Sequence, residues 1–137
     1  MFISTDSIYA WDYEYRFNKQ EFKSNEYIKK NMTISLAGIK LFVLVGNMTG
    51  SAAELFCHVV KQHKLGILVG EKTSGGTHTM ATFSVANRFT FGLPNGRILD
   101  YISGEDLQKH KGVCPDVFVE EQSALGKATK LSKENNN

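Results

Sequence analysis

The sequence is short of several things, and each shortage removes a class of protein. Its 137 residues hold two cysteines, Cys57 and Cys114, too few for a disulfide framework. Cys57 falls in an apolar helical pattern, where a buried free thiol is the usual case, and Cys114 lies in a Gly-Val-Cys-Pro turn. The histidines, His58, His63, His78 and His110, show no metal spacing such as H-E-x-x-H, so neither metal nor cofactor is expected. No run of about twenty apolar residues could cross a bilayer. No basic n-region and apolar h-region open the chain, so no signal peptide is visible and no compartment is indicated. The formal charge is only +2 and no Lys/Arg run exceeds Lys29-Lys30, which leaves no basic face for nucleic acid.

What the chain does have is apolar material for a core. Apolar residues make up 42% of a single-domain length, and a chain of this size buries roughly two-thirds of its unfolded surface. Tyr9, Trp11, Tyr13, Tyr15 and Phe17 share one parity, which predicts a strand with one aromatic face. Residues 18–30 are charged and read as a surface helix or a solvated excursion. Ile39 to Val45 and Leu65 to Val69 are apolar and β-branched, as in strands buried on both faces. Between them, Ala52, Leu55, Phe56, Val59, Val60 and His63 recur at helical spacing. Two apolar strands joined by such a helix predict a parallel crossover. Further on, Met80 to Val85 and Arg88 to Phe91 read as strands around Ala86-Asn87, and Leu93-Pro94-Asn95-Gly96 reads as a turn. Val113 to Val119 reads as a last strand, and residues 122–137 as a polar, disordered tail.

The chemistry-bearing segment is the strand, loop and helix start Leu44-Val45-Gly46-Asn47-Met48-Thr49-Gly50-Ser51-Ala52-Ala53-Glu54. Such a junction suits a nucleophile. Gly50, Ala52 and Ala53 are small enough to admit a substrate backbone, and the first helical turn has unpaired N–H groups for an oxyanion. The helix dipole favours negative charge at the same place. A serine hydroxyl there still needs a base. Ser51-Ala52-Ala53-Glu54 also fits a capping box, the commoner use of that spacing, and Ala53 stands where a G-x-S-x-G elbow would have its last glycine.

Four ordered elements resemble the S41, or C-terminal processing, peptidases: Thr49 to Glu54, Gly70-Glu71-Lys72-Thr73-Ser74-Gly75, Leu93 to Gly96, and Gly112-Val113-Cys114-Pro115-Asp116. The resemblance implies an α/β fold of the ClpP/crotonase-like superhelical kind, here partial, with a parallel βαβ core and an added β-hairpin region. It also implies a serine-type peptidase that takes polypeptide substrates, with Ser51 as nucleophile and the Ala52 backbone N–H as oxyanion donor. Gly76 occupies the place of the lysine base of one family branch, so the chain is similar to the tricorn-like Gly-Gly branch instead. Active members of that branch take a histidine from an earlier segment and a glutamate shortly before the closing motif, a place that falls near Lys109, with Glu105 close by. The histidine segment and a D-x-R-x-N-x-G-G segment have no counterpart in these residues. The expectation is therefore the C-terminal part of a catalytic domain over residues 1–121, active as a peptidase only if completed, or else a catalytically inactive binding or assembly module. His78 is the candidate substitute base, against the plainer reading of a loop histidine; Lys72, Glu71 and His110 read as solvated charges. An incomplete domain should expose apolar surface and self-associate or pair with the missing N-terminal segment, and the aromatic strand from Tyr9 to Phe17 is the expected patch.

Overall fold

The structure, a computed structural model, describes residues 6–17, 19–29, 36, 38–100 and 102–134. The aromatic segment is strand β1 (Ser7–Phe17), and it turns directly into β2 (Gln20–Lys29). Where a helix or excursion is expected over 18–30, residues 20–29 are thus a strand. Its charges sit opposite partners on β1: Arg16 faces Glu21 and Glu14 faces Lys23, while Tyr15 stacks on Phe22 with ring centroids 5.1 Å apart. Pairs of this kind stabilise an antiparallel ladder. With its residues mostly exposed on both faces, β2 carries no apolar period to read.

The parallel crossover is present. Strand β3 (Leu41–Val45) pairs in parallel with β4 (Gly66–Gly70), and helix α1 (Ala52–Gln62) connects them. Alternation along these strands sends side chains to two faces. Val45 and Leu68 pack with Cys57, Val60 and Val113 under α1, with Leu41 and Val43 beside them. Val69 packs with Ala124 and Ala128 on the other face, beside Phe42, Ile67 and Val117. Those two alanines belong to helix α2 (Ala124–Glu134). Where composition suggests a polar tail from Gln122, small residues on one side of a helix seal the second face of the sheet; residues 135–137 lie outside the description. The buried strand is β4; β3 is an edge of its three-stranded sheet and leaves Leu44 exposed.

After β4 a glycine-rich loop leads to β5 (Thr79–Val85), a tight turn with Ala86 and Asn87 at positive φ, and β6 (Phe89–Leu99). The expected turn at Leu93–Gly96 is not a turn. The strand runs straight through it, and the register moves from Met80 opposite Pro94 to Thr79 opposite Gly96. Asn95 is therefore the extra residue of a bulge, a device that bends a strand. Beyond it, Gly96 to Leu99 pair with β1, which completes a four-stranded sheet of order β2-β1-β6-β5. Gly96 is needed there because a Cβ would come within 2.6 Å of the Tyr13 ring. A 3-10 turn (Leu107–His110) and β7 (Val117–Phe118) follow, the latter parallel to β4.

The strands of the four-stranded sheet differ in what they leave open. Tyr9, Trp11, Tyr13 and Tyr15 are half-buried, so the aromatic strand is not the exposed patch; the Phe17 side chain lies outside the described residues. The exposed apolar face is on the hairpin of β5 and β6. Phe83 lies opposite Phe91, Val85 opposite Phe89 and Ala81 opposite Leu93, which puts all six on one face. Phe83, Val85, Phe89, Phe91 and Leu93 are each half exposed or more.

Candidate active site

Ser51 stands between β3 and α1 in a conformation few residues adopt, with φ 54° and ψ −125°. A side chain there costs about 1–3 kcal/mol and persists only where the surroundings impose it. They do so through the loop after β4. The Ser51 N–H donates to the Gly75 carbonyl at 3.1 Å, and the Ser74 N–H and hydroxyl donate to the Thr49 carbonyl at 2.8 and 2.9 Å. Gly50 has no room for a side chain, since a Cβ would lie 2.7 Å from the Ser74 hydroxyl. The smallness of residue 50 thus admits the chain's own loop, whereas Ala52 and Ala53 are exposed beside Ser51.

The capping box does not form. Ser51 makes no side-chain cap bond, and Glu54 turns inward instead of back to the Ser51 N–H. Its carboxylate is buried and accepts from the Thr73 hydroxyl and, at 2.8 Å, from the Gly75 N–H. The Thr73 hydroxyl in turn accepts from the Val113 N–H at 2.6 Å. One buried chain of hydrogen bonds therefore ties three separate motifs together: the serine helix, the Gly-Glu-Lys-Thr-Ser-Gly loop and the Gly-Val-Cys-Pro-Asp turn. Such a group is tolerated in an interior only because it is paired. The spacing of helical apolar residues overlooked Glu54 and counted Phe56, which is half exposed. With no cap bond formed, the Ser51 hydroxyl stands on an exposed residue. The Ala52 N–H, at the first helical position, has no acceptor among the described residues.

The closing turn is fixed by Asp116. Its carboxylate accepts from the Leu68 N–H at 2.8 Å and from the Lys61 ammonium at 2.6 Å, and Lys61 also reaches the Cys114 carbonyl at 2.9 Å. Burial alone would raise the Asp116 carboxyl, but the Lys61 ammonium and the Leu68 N–H outweigh it and hold it below its ordinary value. Cys57 and Cys114 are both free thiols. Burial, with Glu54 nearby, pushes the Cys57 thiol up, so it is no rival nucleophile.

Of the base candidates, His78 does not approach Ser51 in any recorded contact. Its Nε2 bonds the Asp106 carboxylate at 3.1 Å. The ring lines a cavity of about 320 Å³ together with Tyr15, Phe22, Lys23, Pro94 and Arg97, and Ser51 is not part of that lining. Lys72 and Lys109 are exposed, Glu105 sits in the exposed turn after Asp100, and the side chain of His110 lies outside the described residues. The residue that the 3-10 turn does bring to the glycine loop is Gln108, whose Oε1 accepts from the Gly76 and Thr77 N–H groups at 3.0 and 2.9 Å. No sequence signal marked it. Among the described residues no group of three or more His, Cys, Asp or Glu is placed to hold a metal ion, and no helix is long and apolar enough to cross a membrane.

Comparison with known proteins gives this arrangement a setting. The model of peptidase family S41 matches residues 2–119. A candidate peptidase from Parabacteroides merdae superposes with a TM-score of 0.71 at 17% identity, over 95% of this chain and 44% of that one. The photosystem II D1 C-terminal processing protease superposes at 0.65 with 24% identity, over 86% of this chain and 29% of that one. Mature CPAF in complex with lactacystin follows at 0.59 and 22%, over 70% and 21%. The chain thus spans less than half the length of each of these structures.

Proposed function

The chain belongs to peptidase family S41, and from that premise we propose that Ser51 is the nucleophile of a serine-type peptidase acting on polypeptide substrates. The observation that carries the proposal is the Ser51 turn. A serine kept at φ 54° without a cap bond is held at a cost for which helix termination gives no reason. An exposed hydroxyl beside an open N–H is what acyl transfer uses, with the Ala52 N–H as one oxyanion donor, a contribution worth roughly 3 kcal/mol in such sites. The family and the α/β architecture support a partial ClpP/crotonase-like fold, with residues 1–121 as the C-terminal part of a catalytic domain. The test is covalent labelling by a fluorophosphonate, compared with Ser51→Ala. Labelling of the wild-type chain alone is expected, and equal labelling of both would remove Ser51 from the role.

One observation favours a second reading. The recorded contacts of Ser51 are with backbone groups of its own helix and of Gly75, and no histidine or lysine is among them. Without a base the rate of such a nucleophile falls by orders of magnitude, and the chain alone would then serve as a binding or assembly module. Steady hydrolysis of an unfolded protein, lost in Ser51→Ala, would refute this second reading. In either case we propose that the chain self-associates through the exposed face of β5 and β6. That face offers roughly 500 Å² of apolar surface. A second copy packed face to face would bury about 1,000 Å² in total, at the lower limit for a specific contact.

A further inference from the structure

We propose that Gln108 is a positioning residue for the Ser51 turn, acting through the Gly75–Thr77 loop. Its catalytic meaning rests on Ser51 being the nucleophile; its hold on the turn does not.

Consider how the turn is kept. Ser51 is fixed by its N–H bond to the Gly75 carbonyl, and Gly75 and Gly76 have φ of 97° and 93°. Glycines in this region cross easily to other basins, so a carbonyl carried by them stays aimed only if the loop is pinned on both sides. On the near side the Glu54 carboxylate holds the Gly75 N–H. On the far side Gln108 is, among the described residues, the only side chain on the Gly76 and Thr77 N–H groups. Its amide carbonyl has two lone pairs and accepts both donors at once, which also fixes the orientation of the amide group. Thr77 is buried, so its N–H has no water to fall back on.

Gln108 is itself held. The Asp106 carboxylate caps the 3-10 turn by accepting from the Gln108 N–H at 2.9 Å, and the same carboxylate bonds His78. The turn ends at Lys111 in a left-handed conformation, and Gly112 follows in contact with Thr73, where a Cβ would overlap the Thr73 carbonyl. Gln108 therefore links the 3-10 turn to the glycine loop independently of the Glu54–Thr73–Val113 chain.

The experiment compares wild type, Gln108→Met and Gln108→Glu. Methionine keeps the length and removes the acceptor; glutamate keeps the acceptor. Amide hydrogen exchange is read by NMR at Ser51, Gly76 and Thr77, with Leu68 and Val69 of β4 as internal controls, and fluorophosphonate labelling of Ser51 is timed in parallel. In Gln108→Met the three loop and turn amides should exchange at least tenfold faster with β4 unchanged, and labelling should slow at least tenfold. Gln108→Glu should restore both. Unchanged Ser51 exchange in Gln108→Met would overturn the proposal, as would faster exchange with labelling undiminished. A wild-type chain that never labels, yet shows the expected exchange, would remove the nucleophile reading and leave the hold of Gln108 on the turn in place.

Discussion

The parallel unit around Ser51 and the antiparallel sheet beside it treat polarity in opposite ways. In the first, two polar side chains are inside and satisfied: Glu54 and Thr73 are buried and bonded to each other, to Gly75 and to Val113. In the second, apolar groups are outside and uncovered along one face of β5 and β6. A buried polar network specifies one geometry, because each lost partner leaves a desolvated group behind. An apolar face specifies little beyond its need for cover. The first region is thus where position matters, and the second is the face proposed to meet a second copy.

Four substitutions would break or sharpen that contrast. The largest effect is expected for Thr73→Val, which keeps shape but removes a donor from the buried Glu54 oxygen, which keeps the Gly75 N–H, and strands the Val113 N–H. It should lower unfolding free energy by roughly 2–5 kcal/mol in urea titration, whereas Thr82→Val on the exposed hairpin should change it by less than about 0.5 kcal/mol. Equal losses would erase the distinction between the regions. A smaller, pH-dependent effect is expected for Asp116. Its carboxyl is held below the unfolded value of 3.8, so its contribution is fully present above that pH and fades as pH falls through the lower folded value. Asp116→Asn should therefore be less stable near neutrality and show a flatter acid limb, measured by thermal melts between about pH 6 and pH 2. The smallest effect on stability is expected for Phe91→Lys, within about 0.5 kcal/mol. The same change should abolish concentration-dependent association in sedimentation. A wild-type chain that sediments as a monomer at high concentration would remove the hairpin from that role.

Much of the first region was legible in the sequence. The apolar strands and the helix between them follow from residue type and period, and three of the four motif elements converge on one site because hydrogen bonds join them. The inward turn of Glu54 was not legible, since Ser51-x-x-Glu54 spells a capping box whichever way the carboxylate faces. Gln108 was invisible for a related reason: one glutamine in a polar stretch has no period, and only the 3-10 turn aims it. In the second region the aromatic parity of β1 gave its strand. The paired charges of β2 concealed another, and Asn95-Gly96 signalled a bend that a bulge supplies within a continuous strand. Residues 124–134 look like a polar tail because two buried alanines suffice to seat that helix.

The backbone of Ser51 has a consequence for any attempt to improve this protein. At φ 54° and ψ −125° every side chain is a burden that glycine would not carry. A selection for heat resistance alone would favour glycine at position 51 and discard the hydroxyl without a sign of damage to the fold. Stability screens on this chain would therefore mark its proposed nucleophile as a flaw to be repaired.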